Sequence, residues 1–404
     1  MIGTDYTDIT SCVACGHAHL KAILDLGYQP LANDFLEPSS VLDTYPLKLI
    51  LCVSCFHAQL SIAVDPNRLF RDYSYVSGTS VTLSKFFDNF VNTLVAEYGN
   101  VAKILDIGSN DGSFLEKFRK TNWNYLGVDP AINLIPESAA RGVVTLPSFF
   151  DQKIADVLAK DFDVVVAMNV FAHTQNPLEI LLGIKHCLSD KGKAYIQTSQ
   201  ADMFISGEFD TVYHEHISFF NVRSMKALLK RAGLHLSNVS IVPIHGGSYL
   251  WEISKSKGEE MSLVREVQEV SIGLYKSELY EDFARLALSK VNEVQEIVND
   301  FREKKYTIVS YGAAAKGNTF INFSELHFDY ILDDTPQKIG RLSPAGGCVV
   351  SDPKVLMQIQ SPILVVIPAW NFGDEILEKI RGFRNNIEDV YLTYFPQTVL
   401  GSVN

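Results

Sequence analysis

The stretch ILDIGSNDGSFLEKF, which runs from Ile104 to Phe118, decides how the middle of this 404-residue chain folds. An apolar run ends at Asp106, a turn with Gly108 and Gly112 follows, and a helical pattern then begins. Glycine at such a turn lets the backbone pass close to a ligand, and free N–H groups at a helix start favour a carboxylate or a phosphate. The stretch therefore predicts a strand, a ligand-binding turn and a helix.

Apolar runs that alternate with helical segments extend this pattern along the chain. The runs are VAKILDI (101–107), NYLGVD (124–129), FDVVVAMNV (162–170) and KAYIQTS (193–199). They predict a parallel sheet flanked by helices. Two further runs, LSNVSIVPI (236–244) and SYLWEIS (248–254), predict an antiparallel pair that closes this sheet.

A long segment without proline follows at residues 259–305, where Val264, Val267 and Val270 begin a series of regularly spaced apolar residues. This spacing predicts one long amphipathic helix or two in succession. Strand and helix patterns restart at YTIVSYG (306–312) and continue to the end of DVYLTYF at residue 395. They predict a second, smaller α/β unit.

Composition limits the class of protein. With 47% hydrophobic and 20% charged residues, the chain is typical of a globular protein. Its net charge of −12, without a basic run, argues against nucleic-acid binding. No apolar stretch reaches the roughly 18 to 20 residues that span a bilayer, and the first residues, MIGTDYTDIT, lack the pattern of a signal peptide. We therefore expect a cytoplasmic protein that does not bind a membrane.

Four of the six cysteines form two pairs, Cys12-x-x-Cys15 and Cys52-x-x-Cys55. A C-x-x-C turn presents two thiolates to one ion, so two such turns can complete the tetrahedral shell of a structural zinc. This shell leaves no open position for catalysis. Two pairs of buried thiols without a metal are the alternative, and the nearby His17 and His57 are substitute ligands.

The turn after Asp106 differs from two common phosphate-binding motifs, because it matches neither the dinucleotide pattern G-x-G-x-x-G nor a Walker sequence with its lysine. Asp129 ends the next predicted strand, where an acid can accept hydrogen bonds from ribose hydroxyls. Together these features resemble a class I S-adenosylmethionine site, in which Asp106 suits the amine of the ligand. A nicotinamide site or an inert turn is the alternative. We expect this cofactor to be bound by Asp106, Gly108, Asn110, Asp111, Gly112, Asp129, Pro130 and Asn169.

Ionisable residues cluster in the segment YHEH (213–216), in a chain with only ten histidines. His173 follows another predicted strand, and ligands collect at the carboxyl ends of strands in doubly wound sheets. We therefore expect His173, Asp106, Asp129 and the 213–216 segment to converge on one cleft. From spacing alone, the two histidines of His-x-His could instead bind a metal, or the segment could be a solvated polar loop.

A second glycine-containing turn, YGAAAKGN (311–318), follows a predicted strand and opens a helix. Its N–H groups and Lys316 could hold a diphosphate. A tight turn with an exposed lysine is the alternative. Lys338 and Arg341 are further candidates for this role, or surface charges.

Several motifs, taken in order, carry a more specific resemblance. They are the two C-x-x-C pairs, YSYxSGxS (73–80), IGSNDG (107–112), NVFAH (169–173), YHEH (213–216), HGGS (245–248), YGAAAKGN (311–318) and DDTPQKIGR (333–341). With this ordered set over nearly its full length, the chain resembles the nucleotide-sugar C-methyltransferase family, which includes the C-3'-methyltransferases of deoxysugar pathways. One departure is Tyr249-Leu250 after HGGS, where relatives often carry an arginine, and it leaves the contacts of that turn open.

The resemblance implies an α/β protein with three domains. They are a small zinc-binding domain (1–72), a class I S-adenosylmethionine methyltransferase domain of Rossmann-like fold (73–258), and linker helices with a smaller Rossmann-like domain that helps to bind a sugar nucleotide (259–404). The resemblance also implies that His216 is the catalytic base, and that Tyr213, Glu215, His173 and Tyr75 line the sugar site. Sequence alone leaves His214 and His173 as competing bases. We expect the substrate to be bound by Tyr73, Ser77, His245, Lys316, Asn318, Lys338 and Arg341.

The expected reaction is transfer of a methyl group from S-adenosylmethionine to a carbon, C3′, of a nucleotide-linked 4-keto deoxysugar. The keto group acidifies the neighbouring C–H bond, and an imidazole with a near-neutral pKa can remove that proton to give an enolate. An O-methyltransferase that acts on a sugar hydroxyl is one alternative. A non-catalytic scaffold that binds S-adenosylmethionine is another.

Overall fold

The computed structural model describes residues 2–199, 202–244, 246–258 and 261–404. The amino-terminal region is built mainly from antiparallel strands. Its elements are β1 (Tyr6–Asp8), β2 (Leu20–Pro30), β3 (Thr44–Cys52), β4 (Ala58–Leu60), β5 (Ile62–Val64) and the short helix α1 (Pro66–Phe70).

Strands and helices alternate through the central region, as the sequence predicts. The elements are α2 (Val81–Tyr98), β6 (Lys103–Ile107), β7 (Asn124–Val128), α3 (Ile135–Ala140), β8 (Thr145–Leu146), α4 (Gln152–Val157), β9 (Phe162–Met168), α5 (Pro177–Cys187), β10 (Leu188–Ser199), α6 (Met203–Ser206), β11 (Ser218–Phe219), α7 (Val222–Ala232), β12 (His235–Val242) and β13 (Ser248–Ser254).

All the strands of this region except β11 form one sheet, in the order β12-β13-β10-β9-β6-β7-β8. Strands β6 to β10 are parallel, and β13 lies antiparallel between β10 and β12. The predicted antiparallel pair at the end of the sheet is therefore confirmed. Chain connections leave the central strand β6 in opposite directions, and this arrangement opens a crevice at the carboxyl ends of β6 and β9.

The carboxy-terminal region begins with two helices in succession. Its elements are α8 (Leu263–Ser271), α9 (Ser277–Glu303), β14 (Thr307–Tyr311), α10 (Ala315–Phe323), β15 (Tyr330–Leu332), β16 (Val350–Ser351), β17 (Ile363–Val366), α11 (Gly373–Phe383), β18 (Val390–Thr393) and β19 (Val399–Ser402). The strand order is β16-β15-β14-β17-β18-β19, parallel except for β19. This order also places a crevice at the carboxyl ends of its central strands, β14 and β17.

The spacing of apolar residues predicts helix α8, but in the structure the polar side of this helix faces the protein interior. Val264 and Val267 are exposed, whereas Arg265 and Glu269 are buried. The reason is a polar network, in which the Arg265 guanidinium pairs with Asp202 and Tyr249 donates a hydrogen bond to Glu269 (2.8 Å). Helix α9, by contrast, packs its apolar face into the protein.

Strand β11 joins the central region to the amino-terminal sheet. It pairs antiparallel with β4, so that Ser218 lies opposite Gln59 and Phe219 opposite Ala58, and the sheet order becomes β11-β4-β3-β2. One hydrophobic core runs from this sheet through α9 into the carboxy-terminal sheet. The amino-terminal sheet therefore crosses the predicted boundary at residue 72. Among the residues described, no helix combines the length and the apolar character needed to span a membrane.

Candidate active site

A cavity of about 760 Å³ lies where the three regions meet. Its floor is the carboxyl end of the central sheet. The amino-terminal region supplies one wall, with Asn33, Phe70 and Tyr73, and the carboxy-terminal region supplies another, with Lys316 and Trp370. Ligands bind at this edge of doubly wound sheets, so the position fits the predicted cleft.

Asp106 and Gly108 lie at the floor of the cavity, where β6 ends. Gly108 has a φ of +74°, and a Cβ there would lie 2.1 Å from Val170, so this position requires glycine. Asp106 is almost fully buried, and both this burial and the charge of Asp129 raise its pKa to about 8. A buried carboxyl of this kind gains a favourable partner when a cationic amine binds beside it.

Asp129 fixes the shape of the turn and also lines the cavity. Its carboxylate accepts hydrogen bonds from the backbone N–H groups of Asn110 (2.7 Å) and Ala131 (2.8 Å). Burial raises the pKa of Asp129, while these two donors oppose the shift. Each carboxylate oxygen can accept further hydrogen bonds, which is what the hydroxyls of a bound ribose require.

Asn110 and Asp111 connect this turn to the segment 73–80. The Asn110 amide accepts from Ser77 N–H (2.9 Å) and donates to the Tyr75 carbonyl (3.0 Å). Asp111 accepts from Gly78 N–H (3.2 Å) and from Arg141 (2.9 Å). Asp111 is fully buried away from the cavity, so its position differs from that of a ligand-binding residue. It anchors one wall of the cavity instead.

The base candidate His216 is held in one tautomer. Its Nδ1 lies 2.9 Å from the backbone carbonyl of Thr211, which can only accept, so Nδ1 carries the hydrogen. The basic nitrogen is therefore Nε2, which accepts a hydrogen bond from the Tyr213 hydroxyl at 2.8 Å. Burial and the nearby Glu215 keep the pKa of Tyr213 well above its usual value, so the hydroxyl stays protonated.

Stacked rings surround this imidazole. The rings of His173 and His216 lie 5.3 Å apart and are inclined by 29°, and Phe70 stacks on the other side of His173 at 5.7 Å and 6°. All three side chains line the cavity. His173 is thus placed within the site, as the sequence predicts, and Phe70 is a contribution of the amino-terminal region that the sequence does not reveal.

His214 points away from this cavity. It is buried, its ring meets the edge of Tyr45 at 5.8 Å, and it does not contribute to the cavity wall. Burial lowers the pKa of His214 to about 4, which keeps the imidazole neutral. Of the three histidines considered as bases, His216 and His173 face the cavity.

Glu215 lies behind the cavity wall. It accepts hydrogen bonds from Asn33 Nδ2 (2.6 Å) and from the Tyr73 hydroxyl (2.9 Å), and both donors line the cavity. Burial raises the pKa of Glu215, and the two hydrogen bonds oppose that shift. Its position differs from the expectation that it lines the sugar site, because Asn33 and Tyr73 stand between it and the cavity.

The wall from the carboxy-terminal region carries two lysines at the crevice of its own sheet. Lys316 lies in the first turn of α10, with its Nζ 5.5 Å from the centre of the Trp370 ring. Lys338 donates to the Ala313 carbonyl (3.0 Å) and pairs with Asp333 (3.1 Å). Both lysines line the cavity beside the amino terminus of α10, and Lys316 also lies 4.0 Å from a carboxylate oxygen of Glu208.

Two residues predicted to bind substrate lie elsewhere. Asn318 is buried and donates a hydrogen bond to the Ala32 carbonyl (2.8 Å), and this bond connects α10 to the amino-terminal region. Arg341 pairs with Glu37 outside the cavity. His245 lies outside the described residues, although Gly246 beside it lines the cavity.

Some features of the cavity are absent from the sequence prediction. Trp370 lines the cavity and its Nε1 donates a hydrogen bond (3.3 Å) to the buried Asp210, whose pKa burial raises to about 6. The segment 148–151 lines the cavity beyond β8, a strand of two residues that is too short for its periodicity to be recognised.

The predicted residues divide as follows. Those that line the cavity are Tyr73, Tyr75, Ser77, Asp106, Gly108, Asn110, Asp129, Pro130, Asn169, His173, Tyr213, His216, Lys316 and Lys338. Those that lie off its wall are Asp111, Gly112, Glu215, Asn318 and Arg341.

The four cysteines meet at one point, as predicted. Sγ of Cys12 lies 3.6 Å from Cys55, Sγ of Cys15 lies 3.5 Å from Cys52, and all four sulfurs lie within 4.8 Å of one another. These distances exceed a disulfide bond and match the edges of a tetrahedron of thiolates around zinc, about 3.8 Å for Zn–S bonds of about 2.3 Å. The donor set therefore fits zinc.

The two histidines named as substitute ligands lie outside this group of sulfurs. His57 Nε2 is 3.2 Å from the Ser218 hydroxyl, and His17 Nδ1 accepts a hydrogen bond from the backbone of His19 (3.2 Å). The four cysteines thus form the whole cluster of possible metal ligands among the residues that the structure describes.

The central sheet, the turn after β6 and the acid after β7 define a class I methyltransferase that uses S-adenosylmethionine. Three domain families match the chain in order: "Putative zinc binding domain" at residues 12–70, "Methyltransferase domain" at 82–239 and "C-methyltransferase C-terminal domain" at 243–394. The chain therefore carries, in this order, a zinc-binding domain, a methyltransferase domain and the carboxy-terminal domain of C-methyltransferases. It is an enzyme with S-adenosylmethionine and zinc as cofactors.

Two proteins and one solved structure resemble this chain over different lengths. C-methyltransferase NovU of Streptomyces niveus is 27% identical over 394 residues, which cover 94% of each chain. A ubiquinone biosynthesis O-methyltransferase of Xylella fastidiosa is 25% identical over 155 residues, covering 34% of this chain and 63% of that protein. Among solved structures, magnesium protoporphyrin IX methyltransferase of Synechocystis aligns with a TM-score of 0.36 and 13% identity, over 43% of this chain and 83% of that one.

Proposed function

We propose that this enzyme methylates C3′ of a nucleotide-linked 4-keto deoxysugar through an enolate. The observation that carries the proposal is the position of His216, whose Nδ1 faces the Thr211 carbonyl and whose Nε2 faces the Tyr213 hydroxyl, on a cavity shared with Asp106 and Asp129. An unprotonated imidazole next to a hydroxyl donor is the pair of groups that proton removal beside a carbonyl needs.

The residues divide the work as follows. His216 Nε2 removes the C3′ proton, and the resulting charge is delocalised onto the C4′ oxygen. The Tyr213 hydroxyl, which donates to Nε2 in the free site, transfers its hydrogen bond to that oxygen. Thr211 holds Nδ1–H and so stabilises the imidazolium, and His173 packs against its ring.

When bound, S-adenosylmethionine supplies an electrophilic methyl group on a sulfonium. Its methyl group would pass to the enolate carbon with S-adenosylhomocysteine as the leaving product, and His216 would release the abstracted proton to solvent. Asp106 and Asp129, which both line the cavity, would hold its amine and its ribose. Positioning of two reactants in this way supplies much of a rate enhancement.

Local positive charge supports a nucleotide-linked substrate. The chain carries a net charge of −12, yet Lys316, Lys338 and the amino terminus of α10 face the cavity together. Such a combination favours a diphosphate. The cavity volume of about 760 Å³ accommodates a sugar beside the cofactor. We place the reaction in the cytoplasm, where thiols stay reduced and available to zinc.

Incubation with S-adenosylmethionine and a panel of nucleotide-linked sugars tests the proposal. We expect a mass increase of one methyl group with 4-keto sugars, a new C–CH3 signal in the NMR spectrum, and no product with the corresponding 4-hydroxy sugars. A methyl group on oxygen would support the O-methyltransferase alternative. If neither kind of sugar supports the consumption of S-adenosylmethionine, the proposal of a sugar substrate is rejected.

A further inference from the structure

The amino-terminal region contacts the catalytic loop 213–217 twice, through Asn33 in the turn after β2, which meets Glu215 in the middle of the loop, and through Leu60, which meets Ile217 at its end. We propose that Asn33 is a positioning residue that holds Glu215 and through it orders the catalytic loop. The proposal rests on the proposed roles of Tyr213 and His216 in that loop. It assigns a function to a residue that lies 182 positions away from its partner.

Geometry places Asn33 between Glu215 and the substrate space. Its Nδ2 donates to Glu215 Oε1 at 2.6 Å, while Tyr73 donates to Oε2 at 2.9 Å. Glu215 is 4% exposed and lies off the cavity wall, whereas Asn33 and Tyr73 line the cavity. Each carboxylate oxygen thus has a donor from the amino-terminal side, and the carboxylate acts on the site through these donors.

The backbone around Asn33 is fixed independently of Glu215. Asp34 N–H donates to the Leu31 carbonyl (3.0 Å), and the Ala32 carbonyl accepts from Asn318 in α10 (2.8 Å). Asp34 also forms an ion pair with Arg68. A side chain on so constrained a turn can define the position of its partner.

The end of the loop is anchored to the amino-terminal sheet. The Ile217 carbonyl accepts from Leu60 N–H (2.9 Å), and β11 then pairs with β4. Asn221 donates to the Phe56 carbonyl (2.5 Å), one residue beyond Cys55. His216 therefore lies between two contacts with the amino-terminal region, at Glu215 and at Ile217, and Tyr213 lies two residues before the first of them.

Asn33→Asp tests the proposal through a pH profile. It places a second carboxyl beside Glu215, where the neighbouring titratable groups are the protonated phenols of Tyr73 and Tyr213. Two carboxyls at this distance share one proton at low pH, which preserves the contact, and repel one another once both ionise. We expect the ratio of variant to wild-type kcat to fall at least tenfold between about pH 6 and pH 8.5, with the KM for S-adenosylmethionine unchanged.

Asn122→Asp is the matched control, because Asn122 is exposed and the change adds the same charge far from the cavity. Its kcat ratio should not vary with pH. Asn33→Ala should lower kcat about 10- to 100-fold at every pH. Tyr73→Phe should lower kcat by a smaller factor in the Asn33→Ala protein than in the wild-type protein. A wild-type pH profile for Asn33→Asp, or full kcat for Asn33→Ala, would overturn the proposal.

A measurement without substrate separates this proposal from the proposed function. In 13C-labelled protein, the Glu215 carboxyl should titrate at a higher pH in Asn33→Ala than in wild type, because one hydrogen bond that lowers its pKa is lost. An unchanged titration rejects the role of Asn33, whether or not a keto sugar is methylated. A shifted titration together with an inactive wild type rejects the sugar substrate alone.

Discussion

At the scale of single residues, His216 shows how a backbone carbonyl can select the imidazole nitrogen that remains free to act as the proposed base. The Thr211 carbonyl fixes the hydrogen on Nδ1, so no proton needs to move within the ring before Nε2 acts. Thr211 lies five positions from His216 and carries no signal in the sequence, which is why spacing alone leaves three histidines as candidates.

Replacement of His216 with Asn retains a similar size and removes the basic nitrogen. We expect methylation to fall by about 10²- to 10⁴-fold, the usual contribution of a general base. Exchange of the C3′ proton with deuterated solvent, measured with a non-reactive cofactor analogue, should fall in parallel while both ligands still bind. The same replacement at His173, which faces the cavity, is the comparison. Near-normal turnover of His216→Asn would transfer the role of base to His173.

Asp106 provides a prediction about protons. Its pKa of about 8 leaves the carboxyl mostly protonated at pH 7 in the free enzyme. An ammonium group bound beside it favours the ionised form, so the proton must leave. We expect S-adenosylhomocysteine binding at pH 7 to release close to one proton, and the release to vanish at pH values well above 8. Calorimetry in two buffers of different ionisation heat measures this number.

The control for this measurement is Asp106→Asn, which cannot release the proton. The same raised pKa predicts a stability effect in the free enzyme. The pKa of Asp106 is higher in the folded protein than its unfolded value of 3.8. Its contribution to stability is therefore complete below pH 3.8 and is lost as the pH rises through about 8. Asp106→Asn should therefore make the melting temperature less dependent on pH. An equal proton release in both proteins would remove Asp106 from the amine site.

At the scale of elements, the turn after β6 supports a second element rather than acting alone. Asn110 and Asp111 hold the segment 73–80, whose Tyr73, Tyr75 and Ser77 line the cavity. The sequence identifies both motifs because each is local. The sequence does not show that the turn after β6 holds the segment 73–80, because the residues that connect the two motifs are 33 positions apart.

Asp111→Ala tests this connection. The change removes the acceptor of Gly78 N–H and one of the two partners of Arg141. We expect a loss of about 2 to 3 kcal/mol of stability, the range for a charged hydrogen bond. Backbone amides of residues 75–80 should exchange faster with solvent, and kcat should fall about tenfold, with the affinity for S-adenosylhomocysteine within threefold of wild type.

The matched control is Glu116→Ala, which removes the other carboxylate of Arg141 (2.7 Å) and leaves Gly78 untouched. Its amide exchange at residues 75–80 should match wild type. Equal exchange in all three proteins would show that Asp111 stabilises the helix beside it and has no effect on the cavity wall.

At the scale of the whole molecule, the sequence predicts the sheets and the cysteine cluster better than it predicts the wall of the site. Two C-x-x-C pairs and a glycine turn are local patterns with few physical solutions. Asn33, Phe70 and Trp370 reach the cavity because three regions pack against one core. Their contacts depend on tertiary packing, and no spacing along the chain encodes it. The sequence does not predict the inward polar face of α8 for the same reason, since the partners of this face, Asp202 and Tyr249, lie outside the helix.

Through this packing, the zinc site supports the segment that follows the catalytic loop. Cys52 ends β3, and Phe56 and His57 beyond the second pair contact residues 218–221, directly after the catalytic loop. Loss of the metal should therefore affect chemistry as well as folding. The cofactor end of the cavity, at β6 and β7, lies in a different sheet and should retain its affinity.

Cys52→Ser tests this coupling in the full-length enzyme. Elemental analysis should give one zinc per wild-type chain and a clear loss in the variant. The melting temperature should fall by at least about 5 °C, since structural zinc contributes several kcal/mol and each kcal/mol changes the melting temperature by about 2 to 4 °C in domains of about 150 to 250 residues. We expect kcat to fall more than tenfold while S-adenosylhomocysteine affinity stays within threefold. Cys348→Ser, at a cysteine outside the cluster, should leave zinc content, melting temperature and kcat unchanged. Wild-type enzyme that is purified without chelators, contains no zinc and melts at the same temperature as Cys52→Ser would show that the cysteines pack as thiols.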